Sequence, residues 1–494
     1  MSFILSIDQG TSGTKALVVD AAGQAVAKGA AILETKYFGE GFAEQDPERI
    51  YQNVLEAVSR CLKNFDALGF DKENIVAIGI SNQRETFVVW DEKGNPLHDA
   101  IVWQCKRSVS TCETLRTKGF SERVQEKTGL VIDPYFSATK LIWLAGNVPQ
   151  IKDAIDKGKA LFGTIDSWLL YRLTKGECYA TDHTNASRTM LFNIHGLTWD
   201  EGLLEDFELQ KLQLPAVKAS SDYFGEADLD GLLDQPVPVM AMIGDSHAAA
   251  FGEGCFDSGT AKATLGTGCS IMMNIGGQPV SSKNGMMTTI CWSVPGRVDY
   301  ALEGVIVTCG ATIEWLKNEM GFFNDIKATA DMAFAVPDNG GVYLVPAFSG
   351  LGSPHWQMER KASITGLTFA TNKNHIVRAA LESIPYQIRD VISAMEKDTH
   401  LSLKQLMTNG GLSANAFVMS LLTDVLNKPV TKSIMPDVSA LGAAYMAGLA
   451  AGVYKDIATL RKLKTDKEIL MPADDLRNVK AWYQGWINTL KGKV

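Results

Sequence analysis

The sequence predicts an α/β protein with two similar halves, and three observations support this. Apolar runs typical of buried strands alternate with helical patterns along the whole chain. At 494 residues the chain is too long for one hydrophobic core. A Gly-Thr turn between apolar strands occurs twice, in DQGTSGTKALVVDAAGQAV and in TLGTGCSIMMNIGGQPV. Two unrelated hairpins would also give this pattern. If the pattern is an internal repeat, it predicts two domains, 1–252 and 253–494, with the boundary near FGEGCFDS.

The individual elements follow from hydrophobic periodicity. Asp46–Phe65 has apolar residues on one helical face, and Asp46 is placed to cap that helix. Ala440–Tyr454 is apolar and rich in small residues but too short to span a bilayer, which predicts a buried helix. Continuous apolar runs predict buried strands at Phe3–Ile7, Lys15–Asp20, Asn74–Ile80, Gly163–Leu173 and Val237–Ile243.

Composition and charge exclude several classes of partner. The net charge is -9 and no dense Lys/Arg run occurs, so neither a nucleic acid nor an anionic membrane surface is an expected partner. The N-terminus, MSFILSIDQG, enters a strand without the basic segment of a signal peptide. Eight scattered cysteines without a CxxC pair are typical of reduced thiols. We therefore expect a cytoplasmic protein without membrane insertion.

Three glycine turns are candidate phosphate cradles, since the chain has no GxxxxGK[ST] loop. The turn Asp8–Gly13 follows a buried strand, and its amides and hydroxyls could meet phosphate oxygens while Asp8 holds Mg²⁺. Gly266–Gly268 is the matching turn of the second half, and Asn409–Asn415 contains a Gly-Gly turn that opens a helix. Each could equally be an ordinary tight turn.

Two further segments suggest chemistry on a hydroxyl group. Asp245 ends an apolar strand, where a carboxylate could accept the proton of an attacking hydroxyl or simply cap the helix AAAFGEG. Arg84 supplies hydrogen-bond donors and Glu85 supplies acceptors, as recognition of vicinal hydroxyls requires. A surface ion pair would have the same sequence. His247 is interpreted as structural, and the histidine spacing indicates no zinc site.

Longer stretches resemble the FGGY carbohydrate kinases, and among them the glycerol kinases. They include IDQGTSGTKA, IGISNQRETFVVW, LFGTIDSWL, TDHTNASRTMLFNIHGLTWD, ALEGVIVTCGATIEWL and VPAFSGLGSPHW. Ala362–Glu382 is similar to the C-terminal signature of that family. The resemblance covers essentially the whole chain, and it implies two ribonuclease H-like (actin-like ATPase) domains with an interdomain cleft.

The resemblance also implies roles for individual residues. Asp245 would be the catalytic base, and Asp8 would lie at the Mg²⁺ that accompanies ATP. The substrate-binding residues would be Arg84, Glu85, Trp103, Tyr135, Asp245, Ser246 and Ser270. The nucleotide-binding residues would be Thr11, Ser12, Gly13, Lys15, Gly266, Thr267, Gly310, Glu314, Gly411 and Asn415.

The expected function is ATP-dependent transfer of the γ-phosphoryl group to a terminal hydroxyl of a small polyol, in the manner of the glycerol kinases. The sequence departs from those kinases at Ser246, where they have Gln, and at Ser270, where they have an aromatic residue; Glu314 and Asn409 also differ. The two serines leave room and hydroxyl groups for a tetritol, a pentitol or xylulose as an alternative acceptor. An actin- or Hsp70-like nucleotide switch and a weakly active sugar sensor are alternatives of another class. Relatives often form dimers or tetramers, so a homo-oligomer is expected.

Overall fold

A computed structural model of the protein describes residues 2–434, 437–463 and 467–492. The first half contains the strands β1 (Phe3–Gly10), β2 (Gly13–Asp20), β3 (Ala25–Ile32), β4 (Lys36–Phe38), β5 (Phe42–Gln45), β6 (Ile75–Asn82), β7 (Phe87–Trp90), β8 (Ala100–Ile101), β9 (Leu161–Thr164), β10 (Ala180–Asp182), β11 (Phe192–Asn193), β12 (Thr198–Trp199), β13 (Ala216–Lys218), β14 (Ser221–Ala227) and β15 (Val237–Gly244). Its helices are α1 (Pro47–Ala67), α2 (Val109–Thr117), α3 (Ser121–Thr128), α4 (Ser137–Asn147), α5 (Pro149–Asp156), α6 (Ile165–Leu173), α7 (His183–Ala186), α8 (Glu201–Asp206) and α9 (Asp245–Glu253).

The second half continues with the strands β16 (Thr260–Leu265), β17 (Cys269–Gly276), β18 (Met287–Val294), β19 (Arg297–Ile306), β20 (Tyr343–Val345), β21 (Ser363–Thr365), β22 (Gln405–Asn409), β23 (Val430–Ser433) and β24 (Lys467–Leu470). Its helices are α10 (Gly310–Asn318), α11 (Ala328–Phe334), α12 (Lys373–Thr399), α13 (Ala416–Leu426), α14 (Val438–Ala450), α15 (Ile457–Leu460) and α16 (Arg477–Leu490).

Each half has one large sheet, and the two sheets share a plan. The first has the order β14-β15-β6-β1-β2-β3, and the second has the order β18-β19-β17-β16-β22-β23-β24. In both, an antiparallel hairpin (β1–β2 or β16–β17) provides the strand that pairs in parallel with a later strand (β6 or β22). The repeated Gly-Thr turns therefore occupy equivalent positions in two similar sheets, which confirms the predicted α/β fold class.

Helices α9 and α14 pack together between the two sheets. Gly442 of α14 approaches α9 so closely that an added Cβ would lie 1.9 Å from the carbonyl oxygen of Ala248. Gly79 of β6 is similarly close to α14, since its Cβ would lie 2.4 Å from the oxygen of Ala443. The small residues of the predicted buried helix thus serve close packing. Across residues 2–434, 437–463 and 467–492, no helix is both long and apolar enough to cross a bilayer.

Most of the predicted elements are present, and one is wrong. Asp46 caps α1 by accepting hydrogen bonds from the amides of Glu48 and Arg49, as predicted. The run Gly163–Leu173, predicted as a strand, is instead the end of β9 followed by α6. Helix α6 is buried on nearly every side, and its polar residues Asp166 and Ser167 are buried with the apolar ones, so its sequence shows no clear helical period.

Candidate active site

A cleft of about 1080 Å³ lies between the two halves and is lined by both. It contains most of the residues that the sequence singled out. Those that line it are Asp8, Thr11, Lys15, Arg84, Glu85, Trp103, Tyr135, Asp245, Ser246, Gly266, Thr267 and Ser270. Residues distant in the chain therefore converge at one place, as the proposed chemistry requires.

The remaining predicted nucleotide residues do not line the cleft. They are Ser12, Gly13, Gly310, Glu314, Gly411 and Asn415. Gly310 donates its amide to the carbonyl of Gly266 at 3.0 Å, so it supports the second hairpin. Glu314 is exposed on α10, and the Asn415 side chain caps α13 and contacts Thr329. Their contact with a nucleotide stays a prediction.

Arg84 and Glu85 both face the cleft because the backbone turns between them. Glu85 has a φ of 58°, in the left-handed region that a residue with a side chain seldom adopts. An extended chain would send the two side chains to opposite faces. Arg84 donates to Asp245 Oδ1 at 3.1 Å and to Glu303 Oε1 at 3.0 Å, and its Nη2 lies 3.5 Å from the Tyr135 hydroxyl.

A second arginine completes a buried charge network. Arg188 donates from Nε to Glu85 Oε1 at 2.6 Å, and its Nη1 lies 2.6 Å from Glu303 Oε2. Glu303 thus bridges Arg84 and Arg188, which belong to the first half, from strand β19 of the second half. Burial alone would raise the pKa of Glu303, but the charges of Arg188 and Arg84 outweigh it and hold that pKa well below its usual range.

Asp245 is the first residue of α9, directly after β15. Gly244 occupies the N-cap position of α9, so Asp245 is not the N-cap residue that the sequence offered as an alternative role for it. Its Oδ1 accepts the Ser246 amide at 2.6 Å as well as Arg84 Nε. The side chain remains 41% exposed toward the cleft, which leaves the carboxylate accessible to a hydroxyl group.

Aromatic side chains connect the two ends of the cleft. Trp103 and Tyr135 pack edge to face with ring centroids 5.5 Å apart. The indole of Trp103 donates to Thr11 Oγ1 at 2.9 Å, so the apolar wall is fixed to the first Gly-Thr turn. Lys140, buried behind this wall, donates to the carbonyls of Pro134, Tyr135 and Phe136 at 2.6, 2.7 and 2.9 Å.

Asp8 lies in β1 close to the turn of the first hairpin, where Ser81 Oγ donates to its Oδ1 at 2.9 Å. Burial, followed by the nearby carboxylate of Asp245, raises the pKa of Asp8 to about 6. This position suits Mg²⁺, which commonly takes one or two carboxylates and completes its shell with phosphate oxygens and water. Within the described residues, no group of three or more His, Cys, Asp or Glu side chains is placed to hold a metal ion by itself.

Four buried charged residues in or directly behind the site were not singled out from the sequence. They are Lys140, Arg188, Lys262 and Glu303. Lys262 and Glu303 do carry a signal, because each is a charged residue within an otherwise mostly apolar strand, TAKATL or RVDYALEGVI. Such residues are rarely buried without a partner. His247, interpreted as structural, is fully buried beside the site and lies 3.5 Å from Thr289 Oγ1.

Two family models match the chain. The N-terminal domain of the FGGY family of carbohydrate kinases matches residues 3–252, and the C-terminal domain of that family matches residues 261–451. Together they account for most of the 494 residues.

Similar proteins agree with these matches over nearly the full length. "Glycerol kinase 2" of Thermotoga maritima is 43% identical over 490 residues, covering 98% of this chain and 97% of that protein. "Glycerol kinase" of Symbiobacterium thermophilum is 44% identical over 488 residues, with the same coverage of both.

Solved structures share the fold. Glycerol kinase of Plasmodium falciparum with ADP superposes with a TM-score of 0.93 at 34% identity, over 100% of this chain and 98% of that one. Xylulose kinase of Rhodospirillum rubrum, at 20% identity and a TM-score of 0.89 over 99% and 98%, shares the architecture alone. The two sheets and their cleft are thus the paired ribonuclease H-like domains that the resemblance implied, and the chain belongs to the FGGY family of carbohydrate kinases.

Proposed function

We propose that this kinase transfers the γ-phosphoryl group of ATP to a terminal hydroxyl of a small polyol, with glycerol among its acceptors. The observation that supports this most is the position of Asp245. Its carboxylate opens into the same cleft as both Gly-Thr hairpins and is fixed by Arg84 and the Ser246 amide. A general base must lie within hydrogen-bond reach of the proton it accepts.

In the proposed step, the acceptor hydroxyl oxygen forms a bond to the γ-phosphorus. The bond from that phosphorus to the β–γ bridging oxygen breaks, ADP leaves, and the hydroxyl proton passes to the carboxylate of Asp245. Arg84, Glu85 and Tyr135 would hold the other hydroxyls of the acceptor, and Trp103 would cover its carbon skeleton. Positioning of the two substrates is the main contribution of the protein in such transfers.

The nucleotide would lie against the second half. Thr11, Ser12, Gly13 and Lys15 from the first hairpin would meet the phosphates together with Gly266 and Thr267 from the second. Gly310, Glu314, Gly411 and Asn415 would line the remainder of ATP. Asp8 would hold Mg²⁺, which when bound neutralises charge on the phosphates.

We also propose the wider setting of the enzyme. The domain division is placed between residues 252 and 253, within the end of α9, so that the polyol lies on the N-terminal side and ATP on the C-terminal side. All eight cysteines are free, which is in keeping with a reducing compartment such as the cytoplasm. A homo-oligomer, as a dimer or tetramer, is expected in solution.

A direct assay tests the function. The full-length protein with Mg²⁺, ATP and glycerol should release ADP, and mass spectrometry should detect a stoichiometric amount of glycerol phosphate. ADP release should be far slower without an acceptor. ATP hydrolysis that is independent of every polyol, with no phosphorylated product, would contradict the proposal and favour a nucleotide switch.

A further inference from the structure

One wall of the cleft beside Asp245 is built from hydroxyl groups and a buried ammonium. Lys262 of β16 is 1% exposed, yet it lines the cleft. Its Nζ donates to Ser246 Oγ at 2.5 Å and to Thr264 Oγ1 at 3.1 Å. Ser270 of β17 lines the same wall. This cluster of Ser246, Lys262, Thr264 and Ser270 is called the serine–lysine wall below.

Ser246 Oγ accepts a short hydrogen bond from Lys262, but the contacts of the Ser270 hydroxyl are long. Ser246 Oγ and Ser270 Oγ are 3.4 Å apart, and Ser270 Oγ is 3.5 Å from Glu303 Oε1. Hydrogen bonds between oxygen atoms are usually 2.5–3.0 Å long, roughly, so both separations are long. Ser246 and Ser270 therefore retain hydrogen-bonding capacity for an oxygen atom that enters the cleft.

Lys262 also has a hydrogen-bond donor that no side chain of the wall uses. An ammonium has three donors, and two of them go to Ser246 and Thr264. Burial lowers the pKa of Lys262, although the carboxylate of Glu253 acts in the opposite direction. A polar group buried this deeply gains from each further acceptor that it meets. An acceptor oxygen beside Ser246 would be within reach of the same ammonium.

A three-carbon acceptor leaves this wall unused. Of the three hydroxyls of glycerol, one would face Asp245 and the other two would bind Arg84, Glu85 and Tyr135. With all three hydroxyls of glycerol assigned in this way, only an acceptor with a fourth oxygen could also occupy the serine–lysine wall, which adjoins the base at Ser246. Polar groups placed in a pocket in this way select substrates that satisfy them.

We propose that the serine–lysine wall is a subsite for a fourth acceptor oxygen, so that the enzyme phosphorylates four- and five-carbon polyols or ketoses with a higher kcat/KM than glycerol. This inference rests on the proposed function, since it extends the same acceptor pocket. Arg84 and Glu85 bind hydroxyls of the acceptor on one side of Asp245, and Lys262 with Ser246 and Ser270 binds a further hydroxyl or carbonyl oxygen beside them.

The test compares kcat/KM of the full-length enzyme for glycerol, erythritol, D-threitol, L-threitol and D-xylulose. At least one longer acceptor should exceed glycerol about tenfold. Lys262→Met removes the ammonium, and it should shift the ratio of the longer acceptor to glycerol toward glycerol by at least about tenfold. Lys262→Gln keeps a donor and should restore part of that ratio, which a purely structural role of Lys262 would not produce.

A second variant covers the possibility that a change at Lys262 prevents folding. Ser270→Phe fills the space beside the wall and should shift the same ratio toward glycerol about tenfold, whereas Ser270→Ala removes the hydroxyl without adding bulk and should shift it less. If the wild-type enzyme prefers glycerol and no variant moves the ratio, the subsite is wrong while the proposed function stands. If no acceptor is phosphorylated at all, the proposed function fails as well.

Discussion

The two ends of the cleft are built by different means. The end proposed to bind the acceptor, called the acceptor end below, is lined by the charged side chains of Arg84, Glu85 and Glu303, and the buried Arg188 contacts both glutamates. The end proposed to bind the nucleotide, called the nucleotide end below, is formed mainly by backbone turns, which include Gly266–Gly268 and the turn at Gly410. Side-chain charges can be altered one at a time, whereas a turn depends on the conformation of its backbone. The acceptor end should therefore respond to changes of charge, and the nucleotide end to changes of shape.

Two buried glutamates, Glu303 and Glu253, also differ between the two ends of the cleft, in the charge that their surroundings favour. Glu303, at the acceptor end, lies between Arg84 and Arg188, and these two cations hold its pKa well below the usual range despite burial. Glu253 lies behind the nucleotide end, where it accepts a hydrogen bond at 2.6 Å from Asn409, a residue that lines the cleft, and burial raises the pKa of Glu253 to about 7. One carboxylate is ionised at neutral pH by its partners, while the other is close to its midpoint.

The largest effect is expected from Asp245→Asn. The variant keeps the size of the side chain but removes the proton acceptor, so kcat with glycerol should fall about 10²–10⁴-fold. Calorimetric titration should find ADP affinity nearly unchanged. Asp475→Asn is the matched control, because it makes the same substitution at an exposed carboxylate that pairs with Arg477 and does not line the cleft. Turnover near the wild-type rate in Asp245→Asn would remove Asp245 from the role of base.

Glu303→Gln tests the charge network of the acceptor end. It leaves Arg84 and Arg188 buried with one negative charge fewer, and breaking a buried ion pair costs about 3–5 kcal/mol. Urea denaturation should show this loss of unfolding free energy. Asp475→Asn breaks an exposed pair with Arg477 and should leave the denaturation curve unchanged. Equal effects of the two variants would contradict the importance given to the buried network.

The sequence predicted the frame of the site better than its internal contacts. Hairpins and strand ends are local features, so Asp8, Thr11, Thr267 and Asp245 could be placed from neighbouring residues. The contacts of Glu303 could not, because its partner Arg84 lies 219 residues away and nothing local pairs them. A strand such as RVDYALEGVI signals that its glutamate needs a partner without saying which one.

The error at Gly163–Leu173 has a related cause. A helix that is buried on nearly every side has no solvent-exposed face on which polar residues would be grouped, so periodicity does not distinguish its sequence from that of a strand. Burial is decided by the elements that pack around α6, and those come from distant parts of the chain. At Asp245 the local structure was predicted correctly and only the long-range contact was missed. Its position at the end of a strand was predictable, but its contact with Arg84 depends on how the backbone turns at Glu85.

The nucleotide end can be tested by shape through two adjacent glycines. Gly410 has a φ of 92°, and an added Cβ would lie 2.5 Å from the carbonyl oxygen of Leu265, whereas a Cβ on Gly411 would have no heavy atom within 4 Å. Gly410→Ala should lower the unfolding free energy by roughly 1–3 kcal/mol, and Gly411→Ala should not. If ATP lies on this turn, Gly411→Ala should still weaken ATP binding, as measured by titration calorimetry. Equal stability losses at both positions would be inconsistent with the backbone argument.

The smallest expected effect concerns Glu253 and pH. Its folded pKa, about 7, is above the ordinary value of 4.5, so the folded state retains this proton where the unfolded chain has lost it. The stabilisation is complete below about pH 4.5 and is lost as the pH rises through 7. Wild-type protein should therefore lose about 1–2 kcal/mol of unfolding free energy between about pH 5.5 and 7, since one pKa unit corresponds to about 1.4 kcal/mol.

Glu253→Gln provides the comparison for this slope. It keeps an oxygen that can accept from Asn409 but cannot ionise, so its unfolding free energy should vary less over the same interval, as measured by urea denaturation at each pH. Glu303 should contribute no slope there, because its pKa is held far below this range. Parallel pH profiles for wild type and Glu253→Gln would mean that Glu253 is ionised like Glu303, and the contrast between the two ends of the cleft would then rest on backbone shape alone.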